Sequence, residues 1–380
     1  MKKSLNIFFL LIVLTGINYH YNDPNLLVQN KFERIDSLII HSISNTAFPG
    51  AVVLVSKDGK ILYEKAFGHF IYNDTSSSVT INTIYDLASL TKVIATTTAA
   101  MICYDRGLLN LDDHVVNYIP EFGQNGKKNI TIKNLLLHDS GLPAYKRFYN
   151  KFSSAEEIIN DIYSTTLEYR TGTKTVYSDL GMIMMGKVIE KATGKKLDEF
   201  CRQEIFLPLG MNSTFFNPPD SIKYKIAPTE IDRYWRNKLI WGEVHDETSF
   251  LLNGVAGHAG LFSTSGDITK LLQIILNGGT YDNSQFINTE TIILFTKKYS
   301  DQSTRALGWD TKSEEGSSAG DLFDITSFGH TGFTGTSVWI DPTRKLFVVF
   351  LTNRVHPTRE NKKIYNIRPD LNNAVIQSID

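Results

Sequence analysis

The sequence predicts a mixed α/β (α+β) fold: an antiparallel sheet flanked by helices, with a mostly helical region inserted into it. Three observations carry that expectation. Short apolar runs bounded by turn residues cluster near the two ends of the chain. Segments of helical periodicity dominate the middle. No internal repeat divides the chain into modules. The expected organisation is a signal peptide over 1–20 and a single domain over 21–380, its sheet region about 25–85 and 300–380 and its helical region about 86–299.

Taken in order, Lys2-Lys3 precede the apolar run Ile7 to Leu14 and then Thr15-Gly16. A basic start before a short apolar run is the pattern of a secretory signal, and the run is too short to span a membrane comfortably. No cysteine follows it to carry a lipid. A secreted or periplasmic protein is expected, with no stable membrane span once the signal is removed.

Asn25 to Ser44 has helical periodicity, with Leu27, Phe32, Ile35, Leu38 and Ile39 on one side. Ala51 to Val55 and Lys60 to Ala66 read as two strands joined by Asp58-Gly59, a strong hairpin signal. The small and apolar residues from Ser89 to Tyr104 predict a buried helix, with Gly107 as its C-terminal cap. Met182 to Ala192 predicts another. Thr336 to Ile340 and Lys345 to Thr352 form a second hairpin, turned at Asp341-Pro342-Thr343-Arg344. Pro369 to Ile379 reads as a final helix with Pro369 near its start. Asn73 to Val79 and Thr311 to Asp321 are polar, Gly/Ser-rich loops.

Composition excludes several functions. The 380 residues include 39 basic and 40 acidic ones, a net charge of −1. Such balance offers no electrostatic footprint for nucleic acid or an anionic membrane. Cys103 and Cys201 allow at most one disulfide, and their spacing does not decide whether they pair. The oligomeric state is left open.

The chemistry-bearing residues begin with "ASLTK", Ala88 to Lys92. On a helix, Ser89 and Lys92 lie one turn apart on one face. Near a helix N-terminus the dipole favours a developing alkoxide, and burial could lower the lysine pKa until it accepts the serine proton. The plainer alternative is an N-cap serine with a snorkelling lysine. Two further stretches change the balance. "VYSDLG" places Tyr177 and Asp179 around a serine before an apolar helix, and "FGHTGFTGTSVWIDP" places His330-Thr331-Gly332 ahead of a strand.

A Ser-x-x-Lys pair, then Tyr-Ser-Asp, then His-Thr-Gly, in that order, resembles the serine β-lactamase and penicillin-binding-protein superfamily, on its class C and esterase-like side. "NLLLHDSGLP", "LPLGMNST" and "AGHAGLFST" fit the same resemblance, which covers Asn25 to Arg359. It implies a β-lactamase/transpeptidase-like fold and an acyl-enzyme mechanism that needs no cofactor and no metal. Ser89 would be the nucleophile and Lys92 its proton partner. Tyr177 would complete the general base, tuned towards phenolate by the lysine. The backbone amides of Ser89 and of Phe333, the latter following His-Thr-Gly along the strand, would form the oxyanion hole. Thr331 and Gly332 would bind substrate. His330, in the place of a lysine, would donate to the tyrosine or to a substrate carboxylate, with a charge that varies near neutral pH. Asp179 stands where the family commonly has Asn facing the substrate carbonyl. Both departures argue against efficient β-lactam hydrolysis.

His245 in "GEVHDE" and His258 in "GVAGHAGLF" sit in glycine-containing segments suited to lining a substrate. A structural hydrogen-bonding role and metal ligation are the alternatives, though the spacing is not His-Glu-x-x-His. Arg354 could fork onto a substrate carboxylate, or lie at the surface. With "NRVHPTRE", these phrases resemble a secreted branch that includes N-acetylmuramoyl-L-alanine amidases. The expected substrate is a cell-wall fragment, a muropeptide amide. Alternatives are a small-molecule ester, a D-alanyl carboxypeptidase substrate or a β-lactam turned over weakly. A non-catalytic cell-wall or β-lactam sensor is the alternative of another class. Tyr177 and His330 favour turnover, since a sensor needs no proton relay.

Overall fold

The computed structural model describes residues 31–380. The expected signal peptide and the start of the expected first helix lie outside them. Helices used below are α1 (Glu33–Ser44), α2 (Thr98–Asp105), α3 (Asp179–Thr193), α4 (Ser265–Leu276) and α5 (Ile364–Ile379).

The main sheet contains β1 (Gly50–Lys57), β2 (Lys60–Gly68), β3 (Asp310–Thr311), β4 (Phe328–Thr331), β5 (Ser337–Asp341) and β6 (Leu346–Thr352). Its order is β3-β4-β5-β6-β1-β2, with every neighbouring pair antiparallel. Asp58 and Gly59 have φ of 50° and 77°, the consecutive positive angles of a type I′ hairpin turn. The expected joint between the chain ends is the β6–β1 pair, which sets Ala51 opposite Thr352 and Lys57 opposite Leu346.

Side chains alternate across the pleat. Val53, Val55, Trp339, Val348 and Phe350 share a core with Ile35 and Ile39 of α1 and with Leu371 and Val375 of α5. Val52, Leu54, Val338, Phe347 and Val349 face the other way, into the core that includes Val93, Met101, Leu180 and Leu271. The central strands β1, β5 and β6 are therefore buried on both sides, while the edge strand β2 is only partly buried. A smaller sheet pairs Leu261–Ser263 with Tyr85–Asp86 and Phe215–Phe216, which fixes the chain just before Ser89.

Three local expectations are corrected. The run from Ser89 to Tyr104 is not one α-helix: a 3-10 turn at Ala88–Leu90 leads into a π-helical stretch at Lys92–Thr97 and then α2. Pro369 lies inside α5 and not at its start. Buried Ile364 and Ile367 anchor an earlier first turn, and the proline leaves the Tyr365 carbonyl without its helical bond. Thr311, expected in a loop, belongs to the two-residue edge strand β3. Cys103 and Cys201 are both buried free thiols.

Candidate active site

Ser89 follows a strained residue. Ala88 has φ of 46°, a left-handed conformation that costs a residue with a Cβ about 1 kcal/mol or more. Hydrogen bonds hold it there. The Ala88 N–H donates to Asp86 Oδ1 at 2.8 Å, and the Leu87 N–H donates to the Leu261 carbonyl at 2.9 Å. Ser89 thereby lines a pocket of about 350 Å³ together with Tyr177, His330 and Phe333.

Lys92 is fully buried. Its Nζ lies 2.9 Å from Ser89 Oγ, 2.9 Å from the His258 carbonyl oxygen and 2.8 Å from Asp179 Oδ1. The expectation of a lysine discharged by burial is corrected. Burial does push its pKa down, but the Asp179 charge and the Tyr177 phenol outweigh it, and the net shift is upward. Asp179 is the first residue of α3, where the helix dipole favours a carboxylate. It is aimed at Lys92, where a substrate contact was expected.

The Tyr177 ring lies 4.9 Å from Lys92 Nζ and 4.8 Å from the His138 ring. Burial raises its pKa, and the charge and hydrogen bond of Lys92 only partly offset that. Lys92 does tune the phenol towards phenolate as expected of it, but burial outweighs the lysine and the phenol is protonated at rest.

Phe333 is not on the strand, because β4 ends at Thr331 and Phe333 starts the following turn. That turn is laced to the Ser89 bend. Thr334 Oγ1 donates to the Asp86 carbonyl at 2.7 Å and Thr336 Oγ1 to the Leu87 carbonyl at 2.9 Å. A Cβ on Gly332 would stand 2.4 Å from the Leu87 carbonyl oxygen and 2.1 Å from Thr336 Oγ1, so only glycine fits. Arg368 donates through Nη2 to the carbonyls of Gly332 and Thr336, at 2.6 and 2.8 Å. Among the described residues the Phe333 N–H has no acceptor, and Phe333 lines the same pocket as Ser89.

His330 Nδ1 lies 2.9 Å from the Thr331 carbonyl oxygen. A carbonyl only accepts, so Nδ1 carries the hydrogen. Burial, then the charges of Arg305 and Lys92, hold the ring well below the usual histidine range. The ring is neutral, and its buried Nε2 is a lone pair without a partner. The expected donor with a charge varying near neutral pH is corrected to an acceptor with a fixed one.

The family described as Beta-lactamase matches residues 35–371. The chain belongs to the β-lactamase family. A relative from Escherichia coli (strain K12), carrying the name "Putative D-alanyl-D-alanine carboxypeptidase", is 36% identical over 358 residues, 85% of this chain and 82% of that one. One from Salmonella agona under the same name is 35% identical, over 88% of this chain and 85% of that one. Among solved structures, EstCE1, a hydrolase with promiscuous acyltransferase activity, superimposes with a TM-score of 0.74 at 21% identity, covering 92% of this chain and 99% of its own. A class C β-lactamase gives 0.73 at 20% identity, over 93% and 99%. These two share the fold. The protein is a β-lactamase-fold serine hydrolase.

In this β-lactamase-family chain the two expected histidines lie outside the pocket lining. His245 Nε2 is 3.0 Å from Glu230 Oε2, its N–H donates to Asp86 Oδ2 at 2.7 Å, and its ring stacks on Phe333 with centroids 5.7 Å apart. The His258 ring lies 2.8 Å from Asp246 Oδ1 while its carbonyl takes the Lys92 bond. The two histidines thus pair with different carboxylates, as hydrogen-bonding props. Arg354 lines the pocket but its Nε and Nη1 donate to the carbonyls of Phe333, Arg359 and Asn361, at 2.8, 2.8 and 2.7 Å. The expected fork onto substrate is largely used up in holding the Phe333 turn. Thr331 and Gly332 line the pocket.

Sequence reasoning missed Asp86, His138, Arg305 and Arg368. His138 accepts the Ser178 N–H through Nδ1 at 3.1 Å, fixing the loop that carries Tyr177. It lies within "NLLLHDSGLP", so the phrase was visible and the residue's role was not.

Proposed function

We propose that Ser89 attacks a peptide amide of a cell-wall-derived substrate and forms an acyl-enzyme, in an exported protein whose product is a peptide shortened by D-alanine. The observation that carries the reading is the contact of Ser89 Oγ with the Lys92 ammonium at 2.9 Å, beside the unengaged Phe333 N–H. Lys92 stabilises the forming alkoxide electrostatically. Once Tyr177 has released its own phenol proton to solvent, the phenolate takes the Ser89 proton and returns it to the leaving amine. The N–H groups of Ser89 and Phe333 hold the carbonyl oxygen as it becomes negative. Water then cleaves the ester by the same steps in reverse order.

The name borne by the Escherichia coli and Salmonella relatives supports D-alanyl-D-alanine carboxypeptidase chemistry, ahead of the muramoyl amide that the sequence phrases suggest. Export rests on the basic and apolar start of the chain. The test is mass spectrometry of digested muropeptides beside a nitrocefin trace. Release of free D-alanine is the expected result. Release of the whole peptide from muramic acid would replace this reading with the amidase one, and rapid nitrocefin turnover with intact muropeptides would refute both.

A further inference from the structure

Among the described residues, five aromatic side chains in mutual contact or joined by one arginine belong to none of the three hydrophobic cores. The series starts at the Ser89 pocket, which Phe333 lines while 44% exposed. The Arg359 guanidinium lies 5.8 Å from the Phe333 ring centroid and 4.5 Å from that of Tyr234, which is 47% exposed. Tyr149 lies 6.1 Å from Tyr234, Trp235 5.3 Å from Tyr149, and Phe250 edge-on to Trp235 at 5.8 Å.

The far end of this strip is held rigid. Tyr234 and Trp235 sit at the tip of the hairpin that pairs Ile231–Asp232 with Lys238–Leu239. Asp232 accepts the N–H groups of Tyr234, Trp235 and Arg236, each at 3.0 Å. Arg236 Nη1 ties the tip to the Val244 carbonyl at 2.8 Å, and its guanidinium lies 5.4 Å from the Trp235 ring. The Tyr234 hydroxyl donates to Glu247, which also accepts from Arg359 Nη2 at 2.7 Å. A contiguous exposed aromatic surface marks a binding site, and one already rigid loses little entropy when it binds.

We propose that Tyr234, Tyr149 and Trp235 form a saccharide platform, so that the enzyme favours peptides still joined to an N-acetylated sugar over free peptides. The inference rests on the cell-wall reading of the substrate. Two observations select a sugar. The strip alternates aromatic rings with hydrogen-bonding groups, as a pyranose alternates C–H faces with hydroxyls. An acyl chain laid there would strip water from the Arg359 and Glu247 groups without replacing it, which is costly. The second observation is reach. Three steps of 4.5 to 6.1 Å lead from Phe333 through Arg359 and Tyr234 to Tyr149. An extended peptide of four residues spans at most about 14 Å, so the far end of a peptide acylating Ser89 arrives at this platform.

The test compares D-alanine release from a disaccharide-linked pentapeptide and from the same pentapeptide free, beside calorimetric titration with tetra-N-acetylchitotetraose. The wild type should bind the oligosaccharide and cut the disaccharide-linked peptide with the higher kcat/KM, through a lower KM. Trp235→Ala should weaken oligosaccharide binding about 5- to 10-fold, the scale of one lost aromatic contact, and shrink the preference by a similar factor. Trp235→Phe, which keeps a ring, should fall between. The ratio of the two peptides in one preparation cancels any loss of folded enzyme, and the wild-type measurements need no variant. Equal kcat/KM for two peptides that are both cut, or no oligosaccharide binding, overturns the proposal. So does oligosaccharide binding that Trp235→Ala leaves unchanged. A wild-type preference for 4-nitrophenyl octanoate over the acetate, lost in Trp235→Ala and without oligosaccharide binding, replaces the sugar with an acyl chain. Oligosaccharide binding that Trp235→Ala weakens, with neither peptide cut, would refute the D-alanyl reading and leave the platform standing.

Discussion

Lys92 Nζ and Asp179 Oδ1 lie 2.8 Å apart, the lysine fully buried and the aspartate side chain 20% exposed. The carboxylate raises the pKa of both Lys92 and Tyr177. Asp179→Asn keeps the shape and removes the charge, so both groups should lose their protons at lower pH. The whole profile of kcat/KM on a neutral ester should move to lower pH. Stability should fall by about 3 kcal/mol, the low end for breaking a buried pair, because Asp179 is partly solvated. An unmoved profile with the same loss of stability would confine Asp179 to a structural role.

Ser89→Ala should reduce labelling by a fluorophosphonate probe to background while leaving circular dichroism unchanged. Lys92→Ala alone should cost nearly as much activity as the double variant, because residues acting as one unit are not additive. Labelling that persists in Ser89→Ala would remove the nucleophile assignment.

Gly332→Ala tests the lacing of the two turns. The new methyl group meets the Leu87 carbonyl oxygen at 2.4 Å, and backbone cannot yield as a flexible side chain does. The Phe333 N–H should be displaced from the Ser89 bend, lowering kcat on a neutral ester by about 100-fold, the loss typical of one oxyanion donor. A variant with kcat near wild type would show that Phe333 contributes nothing to the oxyanion hole.

Stability should fall as pH drops from 7 to 5. Burial holds His138, His330 and His356 below the ordinary histidine range in the folded protein. The unfolded chain takes up protons near pH 6.5 that the folded chain refuses, so stability rises with pH through this window and is lost as pH falls. Glu230, held down to about 2 by His245 and Arg359 against its burial, adds its own loss only below about pH 4.5. Melting temperatures at pH 8, 6.5 and 5 check this, and His138→Gln with His330→Gln should flatten the fall above pH 5.

The frame was readable because its signals are local. Asp58-Gly59 dictates a hairpin turn, and the apolar strands near each end cannot be buried except against each other. Ser89, Lys92 and Tyr177 were readable through spacing and resemblance. Their charge states were not, since these depend on a carboxylate brought to Lys92 from 87 positions away in the chain. Arg305 lies in a polar segment without motif or periodicity, and only the fold carries it to the Tyr177 ring. Pro369 misled because its fixed φ suits any early helical position, and the buried Ile364 and Ile367 set the true start.

The β6–β1 joint also governs when the enzyme comes alive. A chain emerging from its N-terminal end exposes Ser89 and Lys92 long before Phe333, Arg368 or strand β6 exists. Until Leu346–Thr352 arrives, β1 lacks one neighbour, and until Arg368 follows its side-chain bonds to the carbonyls of Gly332 and Thr336 are missing. Such long-range pairing is entropically late in folding. The last strand and helix therefore act as the arming step: an unfinished or still-unfolded chain carries its nucleophile disarmed, and catalysis switches on only where the whole molecule closes.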